Sequence, residues 1–509
     1  MEENILKLPV FDTKTVFDKT AEQPIDADFT LPEYYPDIDR ILKCTAIPFV
    51  VSKGTNGANI TVEGTVKITV IYVDDQNELN SYEYSYPFQK NFETENAQNI
   101  YCITANAKTE YLNCRAVSER KVDIHGALLI SLTVSEKTAM EIISDLDIPD
   151  IESKRESIEA TSPVGCFNKY LSVEEDIEIG STQKEINCII RYSATPYVSD
   201  CKLMQNKTMV KGELAVNMLY CNNDGELLTL KENLPFSALV ETDAVTESCK
   251  CETDAELSFL EIKPKSNADG VLRSFSIDAK VLLTVKTYCE SEFEAVLDAY
   301  SRKYATEITK KEITLCKLSD KISDTFTAKS NIEIENGKLV SVTDIWCSVK
   351  SDTSKAENGK YILSGTVCVN ILGIDTDQSP VYIEREYPFE FEREIKSADE
   401  LLAFSRIGVK NCGFTLLAGG DVEIRAELSL NASLYKCKRI NVVTDVTINR
   451  DKPIEKPKKC AMVIYFAAAG ESVWDIAMRY LSDVEEIKKI NGISDETLLS
   501  DKTILIPIK

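Results

Sequence analysis

The chain contains one motif three times at constant spacing. A glycine opens an alternating apolar stretch in TVEGTVKITVIYVDD, MVKGELAVNMLYCNN and ILSGTVCVNILGIDT, and each copy leads to a Pro-Phe pair in YPFQK, LPFSA and YPFEF. The proline follows the glycine by 23 positions in every copy. The glycines are Gly64, Gly212 and Gly365, and the prolines are Pro87, Pro235 and Pro388. Repetition at domain length predicts three copies of one structural unit.

The residues inside each copy follow the pattern of a β-hairpin. Val66, Ile68 and Val70 alternate with polar residues, as in a strand with one buried face. Turn-forming residues follow at the same place in all three copies, and the proline ends pairing of the returning strand. A further alternating strand closes each copy in IHGALLISL, IDAKVLLTV and IRAELSLNA. The prediction is a mainly β protein of three repeated antiparallel domains, each a sandwich or a half-barrel.

Domain boundaries follow from the spacing of the copies. We predict repeats over residues 1–152, 153–305 and 306–449, a linker over 450–459 and a small last domain over 460–509. The joins between repeats are expected near Ser153–Ser162 and Lys303–Lys311. Short helices are expected only in such joins, as in ADELLAFSRI from Ala398.

The last fifty residues have a different pattern. In VIYFAAAGESVWDIAMRYL, Ser472 is a suitable N-cap, and the apolar residues after it recur at helical spacing. A second helix is expected to start near Asp483 and to end at Asn491-Gly492. Ile504–Pro507 supplies a closing strand. The sequence therefore predicts a β-α-α-β unit.

Composition argues against several classes of function. The formal net charge is −25, which disfavours a nucleic-acid backbone or an anionic membrane as the main partner. His125 is the single histidine, and no phosphate-binding loop occurs. No apolar stretch is long enough for a membrane span, and the N-terminus has no secretory signal. We expect a protein made and kept in the cytosol, not an enzyme, with no metal and no cofactor.

The sixteen cysteines are scattered along the chain. Cys249 and Cys251 alone are close in sequence, and their C-x-C spacing is not the paired CxxC of a zinc site. Reduced cysteines pack as small apolar residues inside intracellular proteins. We therefore expect all sixteen to be free thiols.

The triplicate pattern resembles the SPOCS domain of endospore-forming bacteria over roughly Phe17 to Asn449. The tail resembles a LysM domain through Tyr465, Gly470-Glu471-Ser472, Asn491-Gly492 and the closing Ile504–Pro507. Together they resemble the SipL class of spore morphogenetic proteins. The resemblance implies a non-enzymatic scaffold in the mother-cell cytoplasm at the forespore surface, and later in the spore coat. It would anchor the coat-initiating ATPase, stage IV sporulation protein A, and other coat proteins are further candidate partners.

The LysM resemblance implies two alternative binding sites. A groove for N-acetylglucosamine glycans would be formed by Gly470, Glu471, Ser472, Val473, Asn491, Gly492, Ile493 and Ser494. The aromatic Phe466, where the family usually has a small polar residue, indicates instead an apolar patch of Ile464, Phe466 and Trp474 for a protein partner. In a simpler interpretation the two aromatic residues only cover the core of the domain. The rival functions are a wall protein that binds peptidoglycan and a hydrolase with a LysM tail.

Overall fold

The computed structural model describes the chain except residues 1–3, 95–98, 181, 244, 247, 248, 268, 335–338, 418–420, 455–460 and 509. Within the described residues, three sets of six strands precede a small C-terminal unit. The first repeat has β1 Asn4–Thr30, β2 Arg40–Asn56, β3 Asn59–Val73, β4 Leu79–Glu93, β5 Ile100–Ala116 and β6 Lys121–Asp147. The second has β7 Ile151–Glu178, β8 Ile186–Met204, β9 Lys207–Asn222, β10 Leu227–Glu241, β11 Lys250–Ser266 and β12 Leu272–Ser301. The third has β13 Tyr304–Ile332, β14 Leu339–Glu357, β15 Lys360–Asp375, β16 Pro380–Glu394, β17 Leu402–Leu416 and β18 Val422–Pro453.

All three repeats have the same topology. The first, sixth and fifth strands of a repeat form one antiparallel sheet, and the second, third and fourth form another. In the first repeat, apolar residues from both sheets, such as Ile25, Ile68, Val70 and Ile130, share one core. Each repeat is therefore a sandwich of two three-stranded sheets, and the prediction of three copies of one β fold is confirmed.

The conserved spacing of the motif places a phenylalanine ring over a glycine. Gly64 in β3 lies directly opposite Phe88 in β4, and pairing continues to Glu93, so the expectation that Pro87 ends the pairing is wrong. A Cβ atom on Gly64 would lie 2.2 Å from the carbonyl oxygen of Phe49 and 2.4 Å from the ring of Phe88. Gly212 with Phe236 and Gly365 with Phe389 repeat this arrangement. The aromatic ring covers the place where the glycine lacks a side chain, which stabilises an otherwise weak position in the strand.

The joins between repeats are tighter than the sequence predicts. The chain passes from β6 to β7 through residues 148–150, and from β12 to β13 through residues 302–303. Ser153–Ser162 belongs to β7, and all of Lys303–Lys311 except its first residue belongs to β13. These strands pair along their whole length with β12 and β18, so little chain remains for a linker.

The helix expected from Ala398 is wrong. Leu402–Leu416 is strand β17, which pairs with β18, and its first residues alternate between exposed and half-buried. The tertiary partner outweighs the helical preference of a Leu- and Ala-rich segment. Strand β18 also continues to Pro453, where it pairs with Tyr304, so the start of the predicted linker is extended strand. Residues 455–459 of the predicted linker, and residue 460 at the start of the predicted last domain, lie outside the described part.

The three repeats pack directly against one another. One apolar cluster combines Val10 and Ile142 of the first repeat with Ile158 of the second and with Ile313 and Ile440 of the third. Two further clusters likewise contain residues of all three repeats. Each repeat therefore contacts the other two, and the three close into a ring.

A basic side chain lies near an aromatic ring at each of the three junctions. Arg191 of the second repeat forms an ion pair of 3.0 Å with Asp344 of the third and stacks on Trp346, with 4.1 Å to the ring centroid. Lys43 lies 4.9 Å from the ring centroid of Tyr382 between the first and third repeats. Lys67 is 4.4 Å from the ring centroid of Tyr192 between the first and second, where burial lowers the pKa of the lysine. Such cation–π contacts help to fix the three repeats relative to one another.

The C-terminal unit contains β19 Met462–Ala467, α1 Val473–Tyr480, α2 Val484–Asn491 and β20 Lys502–Pro507. The two strands pair antiparallel. The observed order is the β-α-α-β arrangement that the sequence predicts.

Candidate protein-docking surface

Both helices of the C-terminal unit pack on one side of its two-stranded sheet. Helix α1 buries Val473, Ile476 and Ala477 against Ile504 and Ile506 of β20. Ser472 occupies the N-cap position of α1, but its hydroxyl makes no capping bond there. Asp483 caps α2 by accepting a 2.9 Å hydrogen bond from the Glu486 amide, and Gly492 ends α2 with a φ of 61°. These local signals fix both helices over the inner face of the sheet.

The outer face of β19 carries an exposed apolar row, which we call the β19 strip: Met462, Ile464 and Phe466. Their exposed fractions are 45%, 62% and 79%. The alternate residues point inwards, since Ala467 is buried and Tyr465 stacks edge-on against Tyr480 of α1. Three apolar side chains in a row, two of them more than half exposed, favour contact with another protein.

Sequence reasoning found two residues of the β19 strip and missed Met462. Its place follows from period two, because residues 462, 464 and 466 must share one face of a strand. Leu505 on β20 pairs with Ile464 and is half-buried beside the strip. The period-two alternation along β19 was the sequence signal that could have identified Met462.

Trp474 does not belong to this surface, so the predicted patch of three residues is wrong in that member. Its side chain is 7% exposed. The indole ring packs edge-on against Tyr300 of β12, with centroids 5.1 Å apart, and its Nε1 donates a 3.1 Å hydrogen bond to Asp298. The ring is buried between the C-terminal unit and the second repeat, because both of its partners come from β12.

Further contacts fix the C-terminal unit on the second repeat. The Tyr300 hydroxyl donates a 2.6 Å hydrogen bond to the Ser482 carbonyl. Arg302 pairs with Asp483 at 3.1 Å. All these contacts involve the helical side of the unit, so the outer face of its sheet, with the β19 strip, points away from the repeats.

Most of the residues predicted for a glycan groove have polar groups that form hydrogen bonds within the C-terminal unit. The Gly470 amide donates to the Leu498 carbonyl at 2.8 Å, and the Val473 amide donates to the Glu496 carbonyl at 2.8 Å. The Glu471 carboxylate accepts bonds from the Ala468 amide and the Tyr465 hydroxyl, which lower its pKa.

The second segment of the predicted groove is engaged in the same way. The Asn491 side chain donates to the carbonyls of Ile487 and Leu505 and accepts a bond from the Leu505 amide. The Ile493 amide donates to the Lys488 carbonyl at 3.0 Å, and Val473 is fully buried. Gly492 and Ser494 are exposed and Ser472 is half-buried. These polar groups would have to exchange partners to bind a sugar, which reduces the gain from glycan binding.

Comparison with known families agrees with this architecture. The SipL SPOCS domain matches residues 37–131 and 185–265, in the first and second repeats. The LysM domain matches residues 468–507, in the C-terminal unit. The chain is a SipL-like protein. The third repeat lies outside the matched stretches but shares their topology, with Gly365 opposite Phe389. No curated protein and no solved structure matches the chain.

This SipL-like chain is a sporulation protein with a LysM module. In the described part of the chain, no helix is long and apolar enough to cross a membrane. The same residues contain no group of three or more His, Cys, Asp or Glu side chains placed to hold a metal ion. His125 is exposed between Asp26 and Asp123, at 2.8 and 3.2 Å, and the hydrogen bond to Asp26 is the main cause of its raised pKa.

Proposed function

We propose that the protein is a non-enzymatic sporulation scaffold whose LysM domain docks a protein partner. The partner that best fits the SipL class is the coat-initiating ATPase, stage IV sporulation protein A, anchored around the forespore from the mother-cell cytoplasm. The protein would later remain in the spore coat, where other coat proteins are candidate partners.

The observation that carries this proposal is the orientation of the β19 strip. The ring of repeats covers the helical side of the LysM domain and leaves the apolar outer face of the sheet open. A few apolar anchors of this kind supply most of the binding free energy in protein interfaces. The groove residues, by contrast, already satisfy most of their polar groups internally.

The test is the substitution Phe466→Glu in the full chain. A charge on the β19 strip must be desolvated on binding, so we expect the affinity for the ATPase to fall by roughly 30-fold or more. The measurement is a binding titration with the purified ATPase, supported by co-purification from sporulating cells. Leu499→Glu is the matched control, since Leu499 is 86% exposed in the same domain but lies outside the strip. It should bind like the unmodified chain.

Peptidoglycan is the alternative partner, because the LysM family includes glycan-binding modules. Soluble chitin oligomers should bind weakly to the unmodified chain and equally weakly to Phe466→Glu. Tight oligomer binding together with an unchanged ATPase titration would replace the proposal with the wall-binding function.

A further inference from the structure

The cysteines of the repeats lie in pairs, although they are dispersed in sequence. Three pairs are joined as disulfides: Cys249–Cys289, Cys316–Cys437 and Cys347–Cys412. Four further pairs are thiols in contact: Cys44–Cys114, Cys102–Cys166, Cys188–Cys221 and Cys201–Cys251. Of the fifteen described cysteines, only Cys368 has no cysteine neighbour. The expectation that all sixteen are free thiols is therefore contradicted for the disulfide-bonded pairs.

This pairing is too regular to come from packing alone. Cysteine makes up sixteen of 509 residues, so a cysteine placed at random would rarely touch another. One pair in each repeat also bridges the same two strands of different sheets. These are Cys44–Cys114 between β2 and β5, Cys201–Cys251 between β8 and β11, and Cys347–Cys412 between β14 and β17. The three pairs lie at different positions along these strands, but in every repeat they join the second strand to the fifth.

The backbone geometry at these pairs is compatible with disulfides. Cys188 and Cys221 are directly opposite in antiparallel strands, as are Cys316 and Cys437. The Cα atoms of Cys249 and Cys289 are 4.5 Å apart, and those of Cys347 and Cys412 are 6.3 Å apart. Disulfides span Cα separations of about 4.4–6.8 Å. Both separations lie within this range, and the 4.0 Å between the Cα atoms of Cys316 and Cys437 lies just below it.

One pair connects two different repeats. Cys102 lies on β5 of the first repeat and Cys166 on β7 of the second. The Tyr101 hydroxyl fixes this contact by donating to the Gly165 carbonyl at 3.2 Å. The hydrogen bond from Cys166 lowers the pKa of Cys102, which favours the thiolate form that attacks a disulfide. Burial raises the pKa of Cys368 to about 11, which makes that thiol unreactive.

We propose that the SPOCS repeats are a site of oxidative modification, in which the four thiol pairs close into intramolecular disulfides, in addition to the three pairs already joined, by reaction with a low-molecular-weight disulfide. In each pair one thiolate attacks the reagent RSSR, releases RS⁻ and forms a mixed disulfide. The second cysteine attacks the protein sulfur of that bond and releases the other RS⁻. The pair loses two electrons, RSSR gains them, and the two thiol protons leave on two RSH molecules.

This modification goes beyond the proposed docking function and does not depend on it. Residues 462–507 of the LysM domain contain no cysteine. Oxidation would therefore cross-link the repeats and leave the β19 strip chemically unchanged.

The experiment starts from the full chain, fully reduced and then treated with oxidised glutathione in the presence of a chelator. Mass spectrometry of the unreduced digest should find the seven pairs named above, with Cys368 outside any protein disulfide. Exchanged partners, links between molecules, or four contact pairs that remain thiols would overturn the proposal.

A second measurement isolates the pair between repeats. Chemical cleavage at methionine in denaturing acid yields a fragment ending at Met140, which contains Cys102, and a next fragment ending at Met204, which contains Cys166. After oxidation, the first fragment should separate only when a reductant is added. In the double variant Cys102→Ser, Cys166→Ser it should separate without reductant, whereas in the matched control Cys368→Ser it should stay linked. A first fragment that separates freely from the oxidised unmodified chain would contradict the inference.

Discussion

At the scale of single residues, the repeat signature is explained by contact rather than by backbone freedom. The motif glycine has no room for a methyl group, because a carbonyl oxygen and a phenylalanine ring occupy the space. The Gly-to-Pro spacing is constant because the residue after the proline must lie opposite the glycine. The sequence could predict the strands and their turn, but the ring over the glycine required the register of the two strands.

Gly212→Ala should therefore destabilise the second repeat. A Cβ atom there would lie 2.3 Å from the Tyr197 carbonyl oxygen and 2.4 Å from the Phe236 ring. We expect the free energy of unfolding to fall by about 1–3 kcal/mol, as in other overpacked cores. Urea denaturation measures this, with Gly54→Ala as the control, since a Cβ at Gly54 meets nothing within 4 Å. Equal stability of the two variants would contradict the idea that the Phe236 ring fills the space beside Gly212.

At the scale of elements, the sequence predicted the LysM domain well, but it did not show how that domain sits. Helix starts and stops at Ser472, Asp483 and Gly492 are local signals, so they could be read directly. The role assigned to Trp474 was wrong because its partner Asp298 is 176 residues away in sequence. The cysteine pairs escaped for the same reason, since the disulfide-bonded partners are 40 to 121 residues apart in sequence and leave no local spacing pattern.

Tyr300→Ala should loosen the LysM domain from β12. It removes both the ring that packs on Trp474 and the hydroxyl that bonds to the Ser482 carbonyl. The chain has two tryptophans, so in a Trp346→Phe background the fluorescence reports Trp474 alone. We expect its emission to shift to longer wavelength as the indole meets water.

Tyr304→Ala is the control for this change, because Tyr304 lies in β13, which pairs with β18 rather than with the LysM domain. Its emission spectrum should match that of the parent. A spectrum unmoved by Tyr300→Ala would mean that the indole is buried by the LysM domain itself.

At the scale of the whole molecule, the three repeats pack into one unit and are not independent domains joined by linkers. Residues of all three repeats share apolar clusters, and the Arg191–Asp344 pair is nearly buried, with 12% of each side chain exposed. The period of the sequence predicted three similar domains. It could not predict that they close on one another, because that depends on surfaces remote from the motif.

Arg191→Met should lower the stability of the whole ring. It leaves Asp344 buried without its cation, a change that costs about 3–5 kcal/mol in comparable pairs. The double variant Arg191→Met, Asp344→Leu should recover most of the loss, because neither charge remains. Chemical denaturation followed by circular dichroism tests both. Lys360→Met, which removes an exposed pair with Glu392, should leave the stability essentially unchanged.

The contact site of the LysM domain is a point at which the three repeats differ. Asp298 follows a β-bulge in β12, and Asp145 and Asp445 follow the corresponding bulges in β6 and β18. Two residues further on, the three strands have Tyr300, Asp147 and Thr447, so only the second repeat offers an aromatic ring to the LysM domain. The three similar repeats thus hold a single LysM domain at one place and in one orientation. If the LysM domain docks a partner as proposed, each chain would bind one partner molecule, and a layer of such molecules would have a defined inside and outside.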